Sequence, residues 1–334
     1  MTPQVSVGIV GAGVIVQTIH LPVLLATPNV RVAWIVDASE ALAGNVAKAF
    51  GIPFAPMATI ASCLERCDVA LIGIPNAPRG PYFEMAAEKG VAIVAEKPFA
   101  INLRDHQKFQ RLFSPNRIAC GYQRRMFSTS RFLRDAVSSG CFGPLRRIVT
   151  SDGGRTTRTG NSSKYHDLPP NRGGGILLNL GCHALDLAVF VTQTNAHSVD
   201  HKRVEFDDGV DREVSARISL SALSAQLQGL YELDLTISWL TEQRNTIELH
   251  FDKTILKAST APSAMVSVHC AQTSRLLGML DTSANGGAVT VNQAVFQVWS
   301  EFLAGLESGA PSPLAASNSE TTAAIMDDVL GFAT

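Results

Sequence analysis

Asn179 and His183 lie four residues apart in the stretch Arg172-Gly-Gly-Gly-Ile-Leu-Leu-Asn-Leu-Gly-Cys-His-Ala-Leu-Asp186. Three consecutive glycines imply a turn or a close backbone approach. After them Ile176, Leu180, His183 and Leu187 recur at helical spacing. Asn179 and His183 then share a helix face, where an amide and an imidazole can converge on one ligand. An imidazole, with an ordinary pKa near 6.5, can take the proton of a hydroxyl group or return one to a carbonyl oxygen. The same pair also fits a hydrogen-bonded core histidine and a helix-start asparagine, so the surrounding elements must decide. A further candidate is Lys97, which stands just past the buried strand expected at 91–95, after Glu96, and precedes Pro98.

Residues 5–10 are a β-branched run that closes on Gly11-x-Gly13, and residues 14–25 read as a helix. A strand, a glycine turn and a helix start together expose backbone N–H groups to a pyrophosphate, which makes Gly11, Gly13, Val14 and Ile15 expected cofactor contacts. The third glycine of the full dinucleotide fingerprint is replaced by Val16. Residues 30–37 read as a second strand ending in Asp37, whose carboxylate can accept ribose hydroxyls and repel a 2′-phosphate. NAD is therefore expected over NADP. Helices at 39–50, 80–89 and 103–113 alternate with strands at 68–74, 91–95 and 117–122, as in a parallel sheet covered on both faces. Ligands bind at the carboxyl ends of such strands, where Pro75-Asn76 and Glu96-Lys97-Pro98 stand.

A helix at 130–138 and a strand at 145–151 lead into a polar loop, 153–172. Its Arg155, Arg158, Lys164, Tyr165, His166 and Arg172 are possible substrate contacts. Strands are then expected at 199–206, 213–220, 227–239, 246–251, 254–258 and 265–269 without intervening helices, which indicates a mostly antiparallel sheet. One face of that sheet is expected to be too apolar for water and to pack on another subunit. Helices at 291–307 and 318–330 close the chain.

The 334 residues are enough for two domains, and 46% hydrophobic with 17% charged is a globular composition. A net charge of −1 gives no basic footprint for nucleic acid. No apolar run approaches the roughly 18 residues of a membrane span, and no secretory signal opens the chain, so a cytoplasmic location is expected. The six cysteines have no paired spacing; reduced thiols and no metal are expected.

With these residues placed, both halves resemble the glucose-fructose oxidoreductase, inositol dehydrogenase and MocA-type (Gfo/Idh/MocA) oxidoreductases. The resemblance rests on Gly11-x-Gly13, Ile74-Pro75-Asn76, Ala95-Glu96-Lys97-Pro98-Phe99 and Gly121-Tyr122 with Arg125. It rests also on Gly173-Gly174-Gly175 with Gly181, His183 and Asp186. It implies an α/β protein with a Rossmann NAD-binding domain over 1–121. An α/β domain over 122–334 would follow, with a large, mostly antiparallel open sheet that binds substrate and forms a homodimer or homotetramer. The implied reaction interconverts a secondary alcohol and a ketone on a sugar, amino sugar or cyclitol, with a nicotinamide cofactor. Lys97 matches the family's catalytic lysine and His183 its general acid/base, while Pro75, Asn76 and Glu96 fall beside the cofactor and Arg125 beside the substrate. Two positions depart from the family pattern. Asn179 stands where members with the full Lys, Asp, His set have aspartate, and Pro78-Arg79 follows Asn76 where members often carry a histidine. A redox-neutral epimerase or glycosidase that retains NAD, or a non-catalytic dinucleotide-binding subunit, are the alternatives.

Overall fold

Short buried strands alternate with helices through the first third of the computed structural model, which describes residues 4–156, 165–223 and 228–332. In order these are β1 (Val5–Val10), α1 (Leu21–Ala26), β2 (Val30–Val36), α2 (Glu40–Phe50), α3 (Ile60–Leu64) and β3 (Val69–Ile72). They continue as α4 (Gly80–Glu88), β4 (Ala92–Ala95), α5 (Leu103–Gln110) and β5 (Ile118–Cys120). Next come α6 (Ser128–Ser139), β6 (Leu145–Gly153), α7 (Cys182–Thr192), β7 (Ala196–Asp207), β8 (Val210–Leu223) and β9 (Gln228–Ser238). The chain ends with β10 (Thr246–Phe251), β11 (Thr254–Ser259), β12 (Met265–Cys270), β13 (Leu276–Asp281), α8 (Val291–Ser308) and α9 (Glu320–Leu330). Local chemistry sets the boundaries: Ser39 accepts the Leu42 N–H at 3.3 Å to start α2, and Gly51 at φ 65° ends it.

Two units form. The first comprises Met1–Ala100, Arg104–Tyr122 and Val295–Ser319, and the second the remaining segments. The first unit is built on a parallel sheet in the order β2-β1-β3-β4-β5. Every residue of β3 and β4 is buried, which is why both read as unbroken apolar runs. Beside the expected 1–121 and 122–334, residues 101–103 go to the second unit and residues 295–319 return to the first. Val298, Trp299 and Phe302 of α8 are buried there. Helical periodicity reveals that such a face is apolar, but not which core receives it.

The second unit carries an eight-stranded sheet in the order β13-β12-β11-β10-β6-β9-β8-β7, antiparallel except where β6 runs parallel to β9. Its inner face is apolar, with Val214, Ile218, Leu233, Leu235, Ile247 and Leu249 buried. The other face corrects the expectation of an apolar surface. Across β6, β9 and β8, Arg147 and Arg217 alternate with Glu232 and Asp234, with Arg217 Nε 3.0 Å from Asp234 Oδ1. Exposed apolar side chains gather instead at the β12–β13 edge, at Met265, Leu276, Leu277 and Met279. β13 was not expected from the sequence, because its alternation is interrupted by Gly278.

Gly175 lies at φ 85°, and a Cβ there would stand 1.6 Å from Asp211 Oδ1, so the third residue of the glycine run has no room for a side chain. Gly175→Ala is therefore expected to destabilise the protein by more than about 2 kcal/mol. Gly51→Ala, also at positive φ but facing open space, should cost only about 1 kcal/mol. Equal costs in urea unfolding would show that the Asp211 contact imposes nothing.

Candidate active site

The glycine turn after β1 is held by a carboxylate. Gly11 has φ 108°, and a Cβ there would lie 2.7 Å from the Gly73 carbonyl oxygen, so the turn closes against the end of β3. Asp37, at the end of β2, accepts the Ala12 N–H on Oδ2 at 2.7 Å and the Ser39 N–H on Oδ1 at 2.8 Å. Gln17 Nε2 donates to the Ala12 carbonyl at 2.7 Å. The helix that follows opens with a π turn, Val16–His20, before α1. Gly13 faces open space, and Val14 is 76% exposed beside it. The first N–H groups of a helix have no partner within it, and here the helix start lies beside open space at Gly13. The ribose-acceptor role expected of Asp37 is thus joined by a structural one. A carboxylate has about four acceptor positions, and the backbone takes two.

The loops after β3 and β4 carry Pro75-Asn76 and Glu96-Lys97, the latter preceding a cis Lys97–Pro98 bond. They are tied by a residue to which sequence reasoning gave no role. Arg79 is 2% exposed; its Nε and Nη2 donate to the Ile74 carbonyl at 3.0 and 2.8 Å, and Nη1 donates to the carbonyls of Glu96 and Pro98. Hydrogen bonds to a charged group contribute about 1.5 to 3 kcal/mol each, so this set outweighs an ordinary loop contact. Asn76 is 4% exposed and, among the described residues, neither polar atom of its side chain has a hydrogen-bond partner.

Glu96 is held from the other side. The Trp299 indole, which can only donate, gives its N–H to His20 Nδ1 at 3.3 Å, leaving Nε2 to donate to Glu96 Oε1 at 2.8 Å. Burial pushes the Glu96 carboxyl up, but the His20 hydrogen bond and the Lys97 and Arg79 charges outweigh it and hold the group below its ordinary value. Glu96 Oε2 accepts the Lys97 backbone N–H at 3.2 Å, so the ionised carboxylate also orients the lysine loop. The signal for His20 and Trp299 was weak, since buried polar residues in apolar helices look like ordinary core positions.

In the second unit, the helix bearing Asn179 and His183 also opens with a π turn, Leu177–Gly181, which runs on into α7. The simple helical spacing expected between the two residues is therefore loosened by a wider turn, a feature frequent at functional sites. His183 is 6% exposed and Asn179 partly exposed. Asp211, at the start of β8, is fully buried and accepts the Leu177 N–H on Oδ2 at 2.8 Å, which fixes the beginning of this helix. One turn after His183, Asp186 pairs with Arg125, whose Nε donates to Asp186 Oδ2 at 2.8 Å; both side chains are buried. The Arg125 guanidinium, expected beside the substrate, thus helps to anchor α7.

The loop residues fall differently. Arg155 and Arg172 are exposed, the Arg155 backbone N–H donating to Glu242 Oε1 at 3.2 Å. The Tyr165 and His166 rings lie 4.5 Å apart. Arg158 and Lys164 lie outside the described residues. Among the described residues no cluster of His, Cys, Asp or Glu is arranged to hold a metal ion, and no helix is long and apolar enough to cross a membrane. The first unit does fit a nicotinamide dinucleotide. It combines a glycine turn closed against the end of β3, open space over Gly13 at a helix start, and a buried amide with unused hydrogen-bonding capacity.

Comparison with known proteins agrees with this architecture. Residues 5–121 match a family model described as the oxidoreductase family, NAD-binding Rossmann fold, and residues 130–257 match the GFO/IDH/MocA C-terminal domain. The chain is 24% identical over 207 residues to dTDP-3,4-didehydro-2,6-dideoxy-alpha-D-glucose 3-reductase of Streptomyces antibioticus, covering 59% of this chain and 60% of that protein. The chain spans less than two thirds of the length of the curated relatives it matches. Aldose-aldose oxidoreductase from Caulobacter crescentus, solved with glycerol, superposes with a TM-score of 0.82 at 16% identity over 98% of this chain and 97% of that one. KijD10, a 3-ketoreductase from Actinomadura kijaniata solved with NADP and TDP-benzene, gives 0.79 at 18% identity over 99% and 98%. At these identities the likeness shows the fold.

Asp211 supplies a test of the second unit. Burial pushes its carboxyl up to about 7, against the Leu177 N–H and the Arg212 charge that pull it down. A carboxyl raised in the folded state holds a proton that the unfolded chain has already lost. Stability therefore falls as pH rises from about 4 to about 7, by up to roughly 4 kcal/mol. Asp211→Asn keeps an acceptor for Leu177 without the charge, and its stability relative to wild type should rise over that interval. A difference that stays flat from pH 4 to 8 would show that Asp211 does not titrate there.

Proposed function

Because the chain belongs to the Gfo/Idh/MocA family of nicotinamide-dependent oxidoreductases, we propose that it interconverts a secondary alcohol and a ketone on a sugar, amino sugar or cyclitol, with NAD as cofactor. The observation that carries the cofactor half is the buried, unpartnered Asn76 amide on a loop tied by Arg79 to that of Glu96 and Lys97. The substrate class is supported by the sugar reductase and the aldose and 3-keto enzymes to which the chain is similar.

The dinucleotide, when bound, gives or accepts the hydride. Lys97 donates a hydrogen bond to the reacting oxygen and stabilises the alkoxide charge that develops on it. His183 takes the hydroxyl proton in oxidation and returns it in reduction. Asn179 orients a substrate hydroxyl; being neutral, it neither takes the proton nor favours imidazolium, as an aspartate would. Arg155, Tyr165 and Arg172 are the remaining candidates for substrate contact. The Asp37 carboxylate disfavours a 2′-phosphate and supports NAD; a structural neighbour holds NADP, so both nucleotides belong in the assay. The enzyme works in the cytoplasm as a homodimer or homotetramer joined through the second unit's sheet, where the alternating charges of Arg147, Glu232, Asp234 and Arg217 suit a symmetric contact.

Purified protein incubated with sugars, cyclitols and nucleotide sugars, with absorbance followed at the reduced-nicotinamide band, tests the reaction. Lys97→Ala and His183→Ala should each slow turnover at least about tenfold. Asn179→Asp should move the acidic limb of the pH profile for oxidation upward, because a nearby carboxylate favours the protonated, inactive imidazole. If neither alanine variant is slowed, the assignment of proton chemistry fails. A tightly retained cofactor with no net absorbance change would point instead to the redox-neutral alternative.

A further inference from the structure

Arg79 is a buried cation whose acceptors are main-chain carbonyls on two separate loops. Nε and Nη2 reach Ile74, one residue before Pro75-Asn76, and Nη1 reaches Glu96, Pro98 and, at 3.5 Å, Phe99. These carbonyls lie past the ends of β3 and β4, where no strand pairing remains to satisfy them. From beneath, the Phe83 ring of α4 stacks on Phe99 with centroids 5.1 Å apart and planes 12° apart. Arg79 itself stands just before α4, its backbone N–H donating to the Asn76 carbonyl at 3.3 Å. One guanidinium fork therefore joins the turn that presents the unpartnered Asn76 amide to the turn that presents Lys97. A planar group with five donors can bridge the two; an ammonium of the same charge is a point donor and cannot reach both.

We propose that Arg79 is the positioning residue of the nicotinamide side of the site, setting the Asn76 amide and Lys97 in register so that the cofactor's carboxamide end is gripped separately from its adenosine end. The proposal rests on the reading that the first unit binds a nicotinamide dinucleotide. It assigns specificity for the reacting half of the cofactor to a residue that touches neither half. On the adenosine and pyrophosphate side, Asp37 is held to the glycine turn by hydrogen bonds of its own, from the Ala12 and Ser39 N–H groups.

The experiment compares two probes on the full chain: NADH, which carries the nicotinamide, and ADP-ribose, which lacks it. Arg79→Lys should weaken NADH about tenfold or more while leaving ADP-ribose within about twofold, and Asn76→Ala should do the same. Because Arg79 acts through Asn76, the double variant should lose much less than the product of the two single losses. Retained ADP-ribose affinity is also the check that a variant is folded. Equal losses on both probes, or no loss, would overturn the proposal while leaving the cofactor reading intact. Failure of wild type to bind either probe would overturn both. In case the arginine variants do not fold, amide exchange of wild type gives an independent reading. NADH, and not ADP-ribose, should protect residues 74–79 and 96–99 together; protection of one loop without the other contradicts the coupling.

Discussion

Two backbone amides at helix starts govern how the functional residues are held. A glycine turn leading into a helix leaves N–H groups that neither the strand before nor the helix after can pair. In the first unit the Ala12 N–H is taken by Asp37 from the end of β2, and in the second the Leu177 N–H is taken by Asp211 from the start of β8. Each carboxylate comes from a different strand, so a local backbone need becomes a tertiary constraint. The first π turn, Val16–His20, begins four residues after its contact, and the second, Leu177–Gly181, begins at the contact itself.

The two carboxylates have different surroundings. Asp37 is partly exposed and keeps acceptor capacity for a ligand, whereas Asp211 is fully buried and shares its pocket with the α-carbon of Gly175. Glu96 makes a third case. It is buried too, but His20, Lys97 and Arg79 hold it ionised, and Trp299 leaves His20 only one way to donate. Burial wins at Asp211 and pushes its carboxyl up, whereas at Glu96 the donors and charges aimed at the carboxylate outweigh burial.

Much of this was legible in the residues. Alternation of β-branched runs and helical spacing is a local property, so the parallel sheet and strands such as β10 could be read directly, and Thr246–Phe251 matches the expected bounds. The candidate positions Lys97, His183 and Asn76 stood out because they follow strands or glycines. Arg79 was noted only as a departure from the family pattern, and His20, Trp299 and Asp211 were not singled out, because what distinguishes them is partners that local spacing does not reveal: His20 and Trp299 are 279 residues apart. The character of the open sheet face was misread for a related reason. Alternation shows which residues share a face, but the pairing of Arg147 and Arg217 with Glu232 and Asp234 depends on strand order, which placed β6 beside β9 rather than beside its sequence neighbour.

Trp299 carries one more implication. Residues 295–319 belong to the first unit, although most of that unit is complete by Tyr122. During synthesis the β1–β5 sheet can begin to form early, since chains fold as they emerge at about 5 to 20 residues per second. Until α8 arrives, the His20 ring has no indole to receive from, and the site that Val298, Trp299 and Phe302 will cover stays open to water. The first unit is thus finished only after the whole of the second sheet has been made, so translation order ties completion of the nucleotide site to prior synthesis of the strands that the other unit needs.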